Sequence, residues 1–536
     1  MKYFLALFAL ISLACCTPNI DKLIDESQIE RDILVLASDS LMGRAPLTIG
    51  ETRTISYLEK RMKEIGLEPA FSGSYFQQVP LVKITSKVPD KLVVQTANGK
   101  TEVLNRSEIS CWSPNLKEEV SLTNSELVFV GFGINAPEHN WNDYEGLDIT
   151  GKTVVVLVND PGFYGDDESF FEGKKMTYYG RWPYKFAEAN AQGAAGCIIV
   201  HEEKAAGYPW HIVDKGEANT TFYLNNEALQ KQVSKLSAWL TNDAADKLFA
   251  LSGHSYNELV AMASKPGFEP FSLNATYSTQ ITNTWVVSNS HNVGGVILGT
   301  KRPEEALVYM AHWDHLGVGD PIDGDSIYNG ATDNAASVAW ALSIAKGFTE
   351  LKSKPERSLL FLIPTAEEAM LLGAQHYVDN PVFEHSKTVA CFNNDVVLFL
   401  GRYKDVTITG LGHSELDDFL AEEAEKQGRY TCDDPNPENG MFYRTDQLPF
   451  LKAGIPSLFA KGYTHQTELG REATLKILED YWKNTYHKPS DHYIPEKHNL
   501  EGLVEDAQLF FRLGNRLAND TYFPKWSKTS PFYVER

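Results

Sequence analysis

The sequence predicts an α/β fold in which a mostly parallel, mixed central sheet is flanked by helices. Two observations lead to this prediction. From residue 292 onward, short apolar runs alternate with helical segments, and polar residues of metal-binding types follow several of those runs. The runs that we interpret as strands span residues 307–311, 358–363, 388–392, 406–410 and 455–460.

The first 16 residues, MKYFLALFALISLACC, are typical of an export signal. They place Lys2 before an apolar run that is too short to cross about 30 Å of hydrocarbon as a helix. Cys15 and Cys16 are candidate lipidation sites, because this segment resembles a bacterial lipoprotein processing site. We therefore expect export from a bacterial cell, as a periplasmic protein, an outer-membrane lipoprotein or a secreted protein.

An amphipathic helix is predicted over residues 50–66, within an N-terminal part of the main domain that we place at residues 24–122. Ile55, Leu58, Met62 and Ile65 recur at helical spacing. Gly66 follows them, and glycine commonly ends a helix. The rest of this part is interpreted as polar strands and turns.

A smaller α/β insert is predicted for residues 123–272. Residues 127–134 and 151–162 read as strands, and residues 185–201 read as a helix followed by a strand. The apolar runs 154–158 and 197–200 are typical of buried strands. The insert is interpreted either as a lid or interaction module or as a spacer. Residues 273–536 then form the larger part of the main domain.

The acidic composition argues against nucleic-acid binding. The 49 Lys and Arg residues and 71 Asp and Glu residues give a net charge of -22 and leave no basic stripe for phosphates. Cys111, Cys197, Cys391 and Cys432 form no Cys-x-x-Cys pair, so a thiolate zinc site is not expected. Buried free thiols are favoured over disulfides, which stay open as an alternative.

Candidate metal ligands follow the ends of predicted strands. His312 comes directly after the first run, Glu367 and Glu368 follow the second, and Asp395 follows the third. In open α/β sheets, ligands bind beyond the carboxyl ends of the strands. We therefore expect these side chains to converge.

Asp333 and His487 complete a predicted dinuclear site. Imidazole and carboxylate groups suit zinc, and two divalent ions about 3.5–4 Å apart need a bridging carboxylate. Asp333, in a glycine-punctuated turn at a predicted helix start, is the candidate bridge. Asp314 is expected to accept the other imidazole N–H of His312 and so raise the basicity of that ligand. Asp491 is a weaker candidate for the same task near His487.

Five motifs surround these residues: AHWDHLG at 311–317, NGATDNAAS at 329–337, TAEEAMLLGAQHY at 365–377, NNDVV at 393–397 and YHKPSDHY at 486–493. They resemble the motifs of the M28 family of zinc peptidases, of the aminopeptidase Y and aminopeptidase S type. The resemblance covers nearly the whole chain after the leader. It implies a zinc-peptidase fold of the phosphorylase/hydrolase type, with residues 123–272 as an inserted protease-associated domain.

The resemblance also implies two Zn²⁺ ions per chain and a role for each candidate ligand. One ion would be bound by His312 and Asp395 and the other by Glu368 and His487, with Asp333 between them.

The same resemblance assigns roles to residues that are not ligands. Glu367 would be the general base, and Asp314 the carboxylate that orients a ligand. Tyr443 is a candidate to stabilise the tetrahedral intermediate. A cis peptide bond is implied between Asp333 and Asn334.

These inferences predict a secreted or lipid-anchored dinuclear zinc exopeptidase, an aminopeptidase that hydrolyses N-terminal residues from peptides. The alternatives are a carboxypeptidase of the same family and a catalytically inactive peptide-binding protein of the same fold. The expected partners are peptide substrates and not nucleic acid, with membrane contact only through an N-terminal lipid. The sequence does not predict an oligomeric state.

Overall fold

The computed structural model of the chain describes residues 20–96, 98–214 and 218–536. The predicted leader, with Cys15 and Cys16, lies outside the described residues. Across the described segments, every helix is too short or too polar to cross a membrane. Cys111, Cys197, Cys391 and Cys432 are all free thiols.

Helices are found throughout the described chain. They are α1 (Glu26–Leu36), α2 (Ile49–Ile65), α3 (Trp182–Ala191), α4 (Glu203–Ala206), α5 (Glu227–Gln230), α6 (Asn242–Ala250), α7 (Tyr256–Ala263), α8 (Ala336–Thr349), α9 (Leu372–Asp379), α10 (Leu416–Glu425), α11 (Gln447–Lys452), α12 (Gly470–Asn484) and α13 (Glu501–Asn519).

The strands range from two-residue pairings to one very long strand. They are β1 (Glu68–Pro69), β2 (Phe76–Lys87), β3 (Lys91–Thr96), β4 (Thr101–Asn105), β5 (Ile109–Trp112), β6 (Glu119–Phe129), β7 (Asn135–Ala136), β8 (Trp141–Asn142), β9 (Thr153–Leu157), β10 (Gly196–His201), β11 (Ala218–Leu224), β12 (Leu236–Thr241), β13 (Phe271–Ile297), β14 (Arg302–Met310), β15 (Gly317–Ile322), β16 (Asp325–Tyr328), β17 (Arg357–Ile363), β18 (Thr388–Asn393), β19 (Asp405–Ile408), β20 (Tyr430–Asp433) and β21 (Ser457–Lys461).

The central sheet has the strand order β1-β13-β17-β14-β18-β21-β19-β20. Its middle strands β17, β14, β18 and β21 run parallel, and β13 joins antiparallel at one side. Every residue of β17 and β18 is buried, as expected for strands covered on both faces. The predicted α/β fold with a mostly parallel, mixed sheet is confirmed.

Helices cover both faces of this sheet. One face packs against α1, α2, α8 and α13, and α8 is buried almost all round because it lies between the sheet and other helices. The other face packs against α9 and α11. The predicted helix near residues 50–66 is α2. It begins after Thr48, whose hydroxyl accepts the backbone N–H of Gly50, and ends at Gly66 with a φ of 90°.

A second sheet has its own hydrophobic core. It has the order β4-β3-β13-β6-β9-β10-β12-β5, and β6, β9, β10 and β12 run parallel. On one face the core is formed by buried residues that lie between Val88 and Ile281 in the sequence. On the other face it is formed by buried residues that lie between Trp112 and Trp239. This second body therefore also includes strands that precede residue 123.

One strand, β13, belongs to both sheets. Its first part pairs with β3 and β6 and its last part with β17. Between them it pairs antiparallel with β2, from Thr282 opposite Lys87 to Val293 opposite Phe76. The two bodies are thus joined by a continuous antiparallel ribbon, to which β11 adds a third strand along residues 81–87 of β2.

Candidate metal centre

The carboxyl ends of three adjacent parallel strands carry the first group of candidate ligands. His312 follows β14, Glu367 and Glu368 follow β17, and Asp395 follows β18. Because β14 lies between β17 and β18, these side chains meet at one edge of the sheet.

Asp333 lies in the turn that leads into α8, and its peptide bond to Asn334 is cis, as the resemblance implies. The carboxylate of Asp491 accepts the backbone N–H groups of Thr332 and Asp333 and the hydroxyl of Thr332. The buried Arg44 donates to the backbone carbonyl of Gly330 at 3.0 Å on the other side of this turn. The turn is therefore fixed from two sides.

The structure brings the candidate ligands into two groups. His312, Glu367 and Asp395 have ligand atoms within 4.8 Å of one another. His315, Asp333 and Glu368 form the second group by the same measure. His315 was not among the predicted ligands.

Asp333 lies between the two groups. Its Oδ1 atom is 3.4 Å from Nε2 of His312, and its Oδ2 atom is 3.2 Å from Nε2 of His487. His312 Nε2 is also 3.3 Å from Oδ1 of Asp395, and His487 Nε2 is 3.1 Å from Oε2 of Glu368. The two oxygens of Asp333 thus face different histidines, as a bridging carboxylate requires.

Burial makes these charges interact strongly. Burial opposes protonation of His487, but Glu368 and Asp333 outweigh it and raise the pKa of His487 to about 10. Burial likewise opposes ionisation of Glu368, but His487 and His315 lower the pKa of Glu368 to about 2. Glu368 is therefore held in its charged form beside His487.

Glu367 differs from its neighbour. Its Oε2 atom lies 3.9 Å from Nε2 of His312. Burial, together with the charges of Asp395 and Asp446, raises the pKa of Glu367 well above its ordinary value, although His312 opposes the shift. A carboxyl group in this setting can exchange a proton with a reacting water.

The donor set suits zinc. Zinc takes imidazole nitrogen and carboxylate oxygen, and these are the only polar groups in the two ligand groups of the described residues. Within the described chain, Nε2 of His315 is buried without a hydrogen-bond partner, and Nε2 of His487 lies 3.2 Å from Asp333 and 3.1 Å from Glu368 without the geometry of a hydrogen bond. The residues present therefore fit a pair of divalent ions.

Asp314 holds the segment that carries Glu367 and Glu368. Its carboxylate accepts their backbone N–H groups at 3.1 and 3.4 Å. Nδ1 of His312 lies 3.0 Å from the backbone carbonyl of Asp314 and 3.7 Å from the carboxylate. The backbone oxygen is thus the nearer acceptor for the imidazole N–H.

Tyr443 and Tyr486 both line the cavity, in different surroundings. Burial raises the pKa of Tyr443, and the carboxylates that act on it are Glu172 and Asp160 of the second body. Tyr486 stacks on the ring of His487, with the centroids 3.8 Å apart. Its pKa is raised by burial and then by Asp333, with further contributions from Glu368 and Glu367. Of these two tyrosines, Tyr486 is the one that contacts a candidate ligand through its ring and whose pKa responds to the candidate ligands.

Sequence reasoning missed three residues of the site. His315 stands three residues after His312 in the same motif, and its Nδ1 lies 2.8 Å from Oε1 of Glu368. Tyr486 directly precedes a predicted ligand, which was the available signal. Asp446 is buried, with neither carboxylate oxygen hydrogen-bonded within the described residues. Asp446 lies in the segment RTDQ at residues 444–447, and nothing in that segment indicated that its carboxylate would be buried near the site.

A cavity of about 510 Å³ opens from the ligands toward the second body. Its walls include Glu367, Glu368 and His487 on one side and Trp112 and Trp239 on the other. This volume is in the range of pockets that enclose small molecules.

The region of the chain that matches a known protein family contains all the candidate ligands. Residues 292–508 match the sequence profile of peptidase family M28. Over 142 residues the chain is 29% identical to aminopeptidase NAALADL1 of Rattus norvegicus and, to the same extent, to that of Mus musculus. Each match covers 25% of this chain and 18% of the relative, so the chain matches less than a fifth of those proteins.

One solved structure shares the whole architecture. An aminopeptidase from Aneurinibacillus sp. strain AM-1 superposes with a TM-score of 0.53 and 18% identity, over 94% of this chain and 96% of that chain. This likeness shows a common fold.

Proposed function

Because residues 292–508 belong to peptidase family M28, we propose that the protein is a dinuclear zinc exopeptidase that removes N-terminal residues from peptides. The observation that carries the proposal is the position of Asp333, whose two oxygens face His312 on one side and His487 on the other. Relatives at 29% identity that are named aminopeptidases support the direction of cleavage.

Each ion would take ligands from both strand ends and loops. His312 and Asp395 would hold one ion, Glu368 and His487 the other, and Asp333 both. His315 contacts Oε1 of Glu368, whereas His487 contacts Oε2, and His315 would keep that carboxylate in place.

The zinc ions, when bound, would polarise the scissile carbonyl and lower the pKa of the attacking water. Glu367 would accept the proton of that water and return it to the leaving amine. Tyr486 would donate a hydrogen bond to the oxygen on which negative charge develops. Asp314 would keep the backbone of Glu367 in position through the N–H bond at 3.1 Å.

The excess of carboxylates supports binding of a free α-amino group. Asp333, Glu367, Glu368 and Asp395 all line the cavity. A substrate ammonium group would be attracted to this side of the cavity, and an acetylated N-terminus would not.

A peptide library tests the proposal. The zinc-loaded protein is incubated with peptides that carry either a free or an acetylated N-terminus, and the products are identified by mass spectrometry. We expect stepwise loss of N-terminal residues from the free peptides only, and no products with the Glu367→Ala variant. Trimming from the carboxyl end regardless of acetylation would establish a carboxypeptidase, and intact peptides in both sets would indicate a peptide-binding protein.

A further inference from the structure

Two arginines in the wall of the cavity have no carboxylate partner among the described residues. Arg181 precedes α3 and is 8% exposed, and its Nε atom is buried without an acceptor in this part of the chain. Arg444 is half-buried, and its guanidinium carbon lies 5.8 Å from the ring centroid of Tyr208. Both line the same cavity as the metal ligands.

The position of Arg181 is fixed by packing. Its side-chain stem lies over Gly440, where an added Cβ atom would come within 3.2 Å of Cδ of Arg181. The stem of Arg181 therefore packs on the backbone of Gly440. A side chain restricted by packing loses less freedom when a ligand binds.

The two arginines lack carboxylate partners although the protein is rich in carboxylates. The chain has 71 acidic and 49 basic residues, yet the described carboxylates form no ion pair with Arg181 or Arg444. Burial and the nearby charge of Arg444 lower the pKa of Arg181 to about 9. A buried cation without a counter-ion lowers the stability of the folded state. Features that lower stability in this way are typical of binding sites.

The arginines and the candidate metal ligands line the same cavity. Arg181 and Arg444 share its wall with Asp333, Glu368 and His487. A ligand that fills this space can therefore contact the guanidinium groups while another part of it lies at the candidate metal site.

This arrangement deepens the proposed peptidase function and rests on it. We propose that Arg181 and Arg444 bind a carboxylate of the substrate while the reacting bond lies at the metal ligands. Arginine is suited to this task because its planar guanidinium can donate two parallel hydrogen bonds to a carboxylate. The carboxylate is either the free carboxyl terminus of a short peptide or the side chain of an acidic residue.

The size of the cavity limits the substrate that can reach both ends. At about 510 Å³ the space encloses a small molecule and not a folded chain. A di- or tripeptide with an ammonium at one end and a carboxylate at the other has the charge pattern that the two sides of the cavity complement.

Matched peptide pairs test the proposal and separate the two sources of the carboxylate. Leucyl-alanine is compared with its C-terminal amide, and the amide of leucyl-glutamate with the amide of leucyl-glutamine. We expect zinc-loaded protein to prefer the charged member of one pair by about tenfold or more in kcat/KM, the ratio that 1.4 kcal/mol of binding produces. Preference in the first pair identifies the carboxyl terminus, and preference in the second identifies an acidic side chain.

Variants show whether the arginines cause the preference. In the double variant R181M/R444M the ratio should fall to about one, because only the charged peptide loses its binding partners. Lys452→Met is the matched control, since Lys452 is an exposed cation in the same cavity wall. The proposal would be overturned if the natural protein shows no preference or if the preference persists in the double variant. It would also be overturned if the preference falls equally in the Lys452→Met control.

Stability distinguishes a binding role from a structural one. Removing an unpaired buried charge should leave the Tm of Arg181→Met unchanged or higher, whereas loss of a structural arginine would lower it. A clear decrease in Tm would overturn the role of Arg181. If the double variant does not fold, Arg444→Met alone, at a half-exposed position, should still reduce the preference about threefold.

Failure of the peptidase function would be seen separately. If no peptide is cleaved, calorimetric titration of the zinc-loaded protein with glutarate still tests the carboxylate site. Binding by the natural protein that is lost in R181M/R444M would support the site without the activity. Equal binding by both proteins, or none by either, would overturn it.

Discussion

The carboxylate of Asp314 accepts the backbone N–H of Glu367 at 3.1 Å. The same carboxylate accepts the N–H of Glu368 at 3.4 Å, and the backbone carbonyl of Asp314 lies 3.0 Å from Nδ1 of His312. One residue therefore positions the proposed general base and two proposed ligands.

Asp314→Asn should lower kcat/KM about 10–100-fold, the range found when a partner of a metal ligand is lost. An amide oxygen can accept one of the two N–H groups, but its NH₂ group cannot accept the other. Steady-state kinetics on a free dipeptide would measure the effect. Asp320→Asn, on the exposed strand β15, is the control and should have the activity of the natural protein.

Glu367→Gln should retain zinc and lose about 10²–10⁴-fold in kcat, because the amide cannot take a proton from water. Metal content by mass spectrometry and turnover on the same sample provide the two measurements. Turnover near that of the natural protein would move the general base to another residue.

Glu368→Ala should lose metal as well as activity. The substitution removes one proposed ligand and leaves His315 and His487 without their shared carboxylate. Zinc per chain after dialysis is the measurement, and Glu350→Ala, in an exposed ion pair with Lys346, is the control. Full zinc content in the Glu368 variant would remove this residue from the ligand set.

Tyr486→Phe should lower kcat about 10²-fold, the effect of losing one donor to a developing oxyanion. Tyr443→Phe should have little effect, because the carboxylates around Tyr443 belong to the second body. Comparison of kcat for the two variants measures the difference. A larger loss of kcat in Tyr443→Phe than in Tyr486→Phe would assign the stabilising role to Tyr443.

Arg44→Met should lower the free energy of unfolding by about 3 kcal/mol, as expected when a buried hydrogen-bonded charge is removed. Its guanidinium donates to the buried backbone carbonyls of Leu36, Trp313 and Gly330, and the methionine would leave them unsatisfied. Denaturant unfolding monitored by tryptophan fluorescence measures the change. Arg53→Met, at an exposed position of α2, should cost much less.

The strands of the central sheet could be predicted because they are short apolar runs ended by breakers. The residues of the candidate site could be placed together because ligands collect at the ends of parallel strands. His315 was missed because its role depends on which neighbour its ring nitrogen faces. Tyr486 could not be distinguished from Tyr443, because the groups around each tyrosine are distant from it in sequence: Asp333 acts on Tyr486, and Glu172 and Asp160 of the second body act on Tyr443.

The arginine pair was also beyond sequence reasoning. Arg181 and Arg444 are 263 positions apart along the chain (444 minus 181), and no pattern in the sequence pairs them. They share a cavity only because the second body is folded against the first.

The ribbon of β2 and β13 contains no loop at which the two bodies could turn. Large domain motions usually bend at a few loop residues, whereas β13 crosses from one sheet to the other as a single hydrogen-bonded strand. We therefore expect the cavity to keep its width when a ligand binds, and to exclude molecules that are wider than its opening.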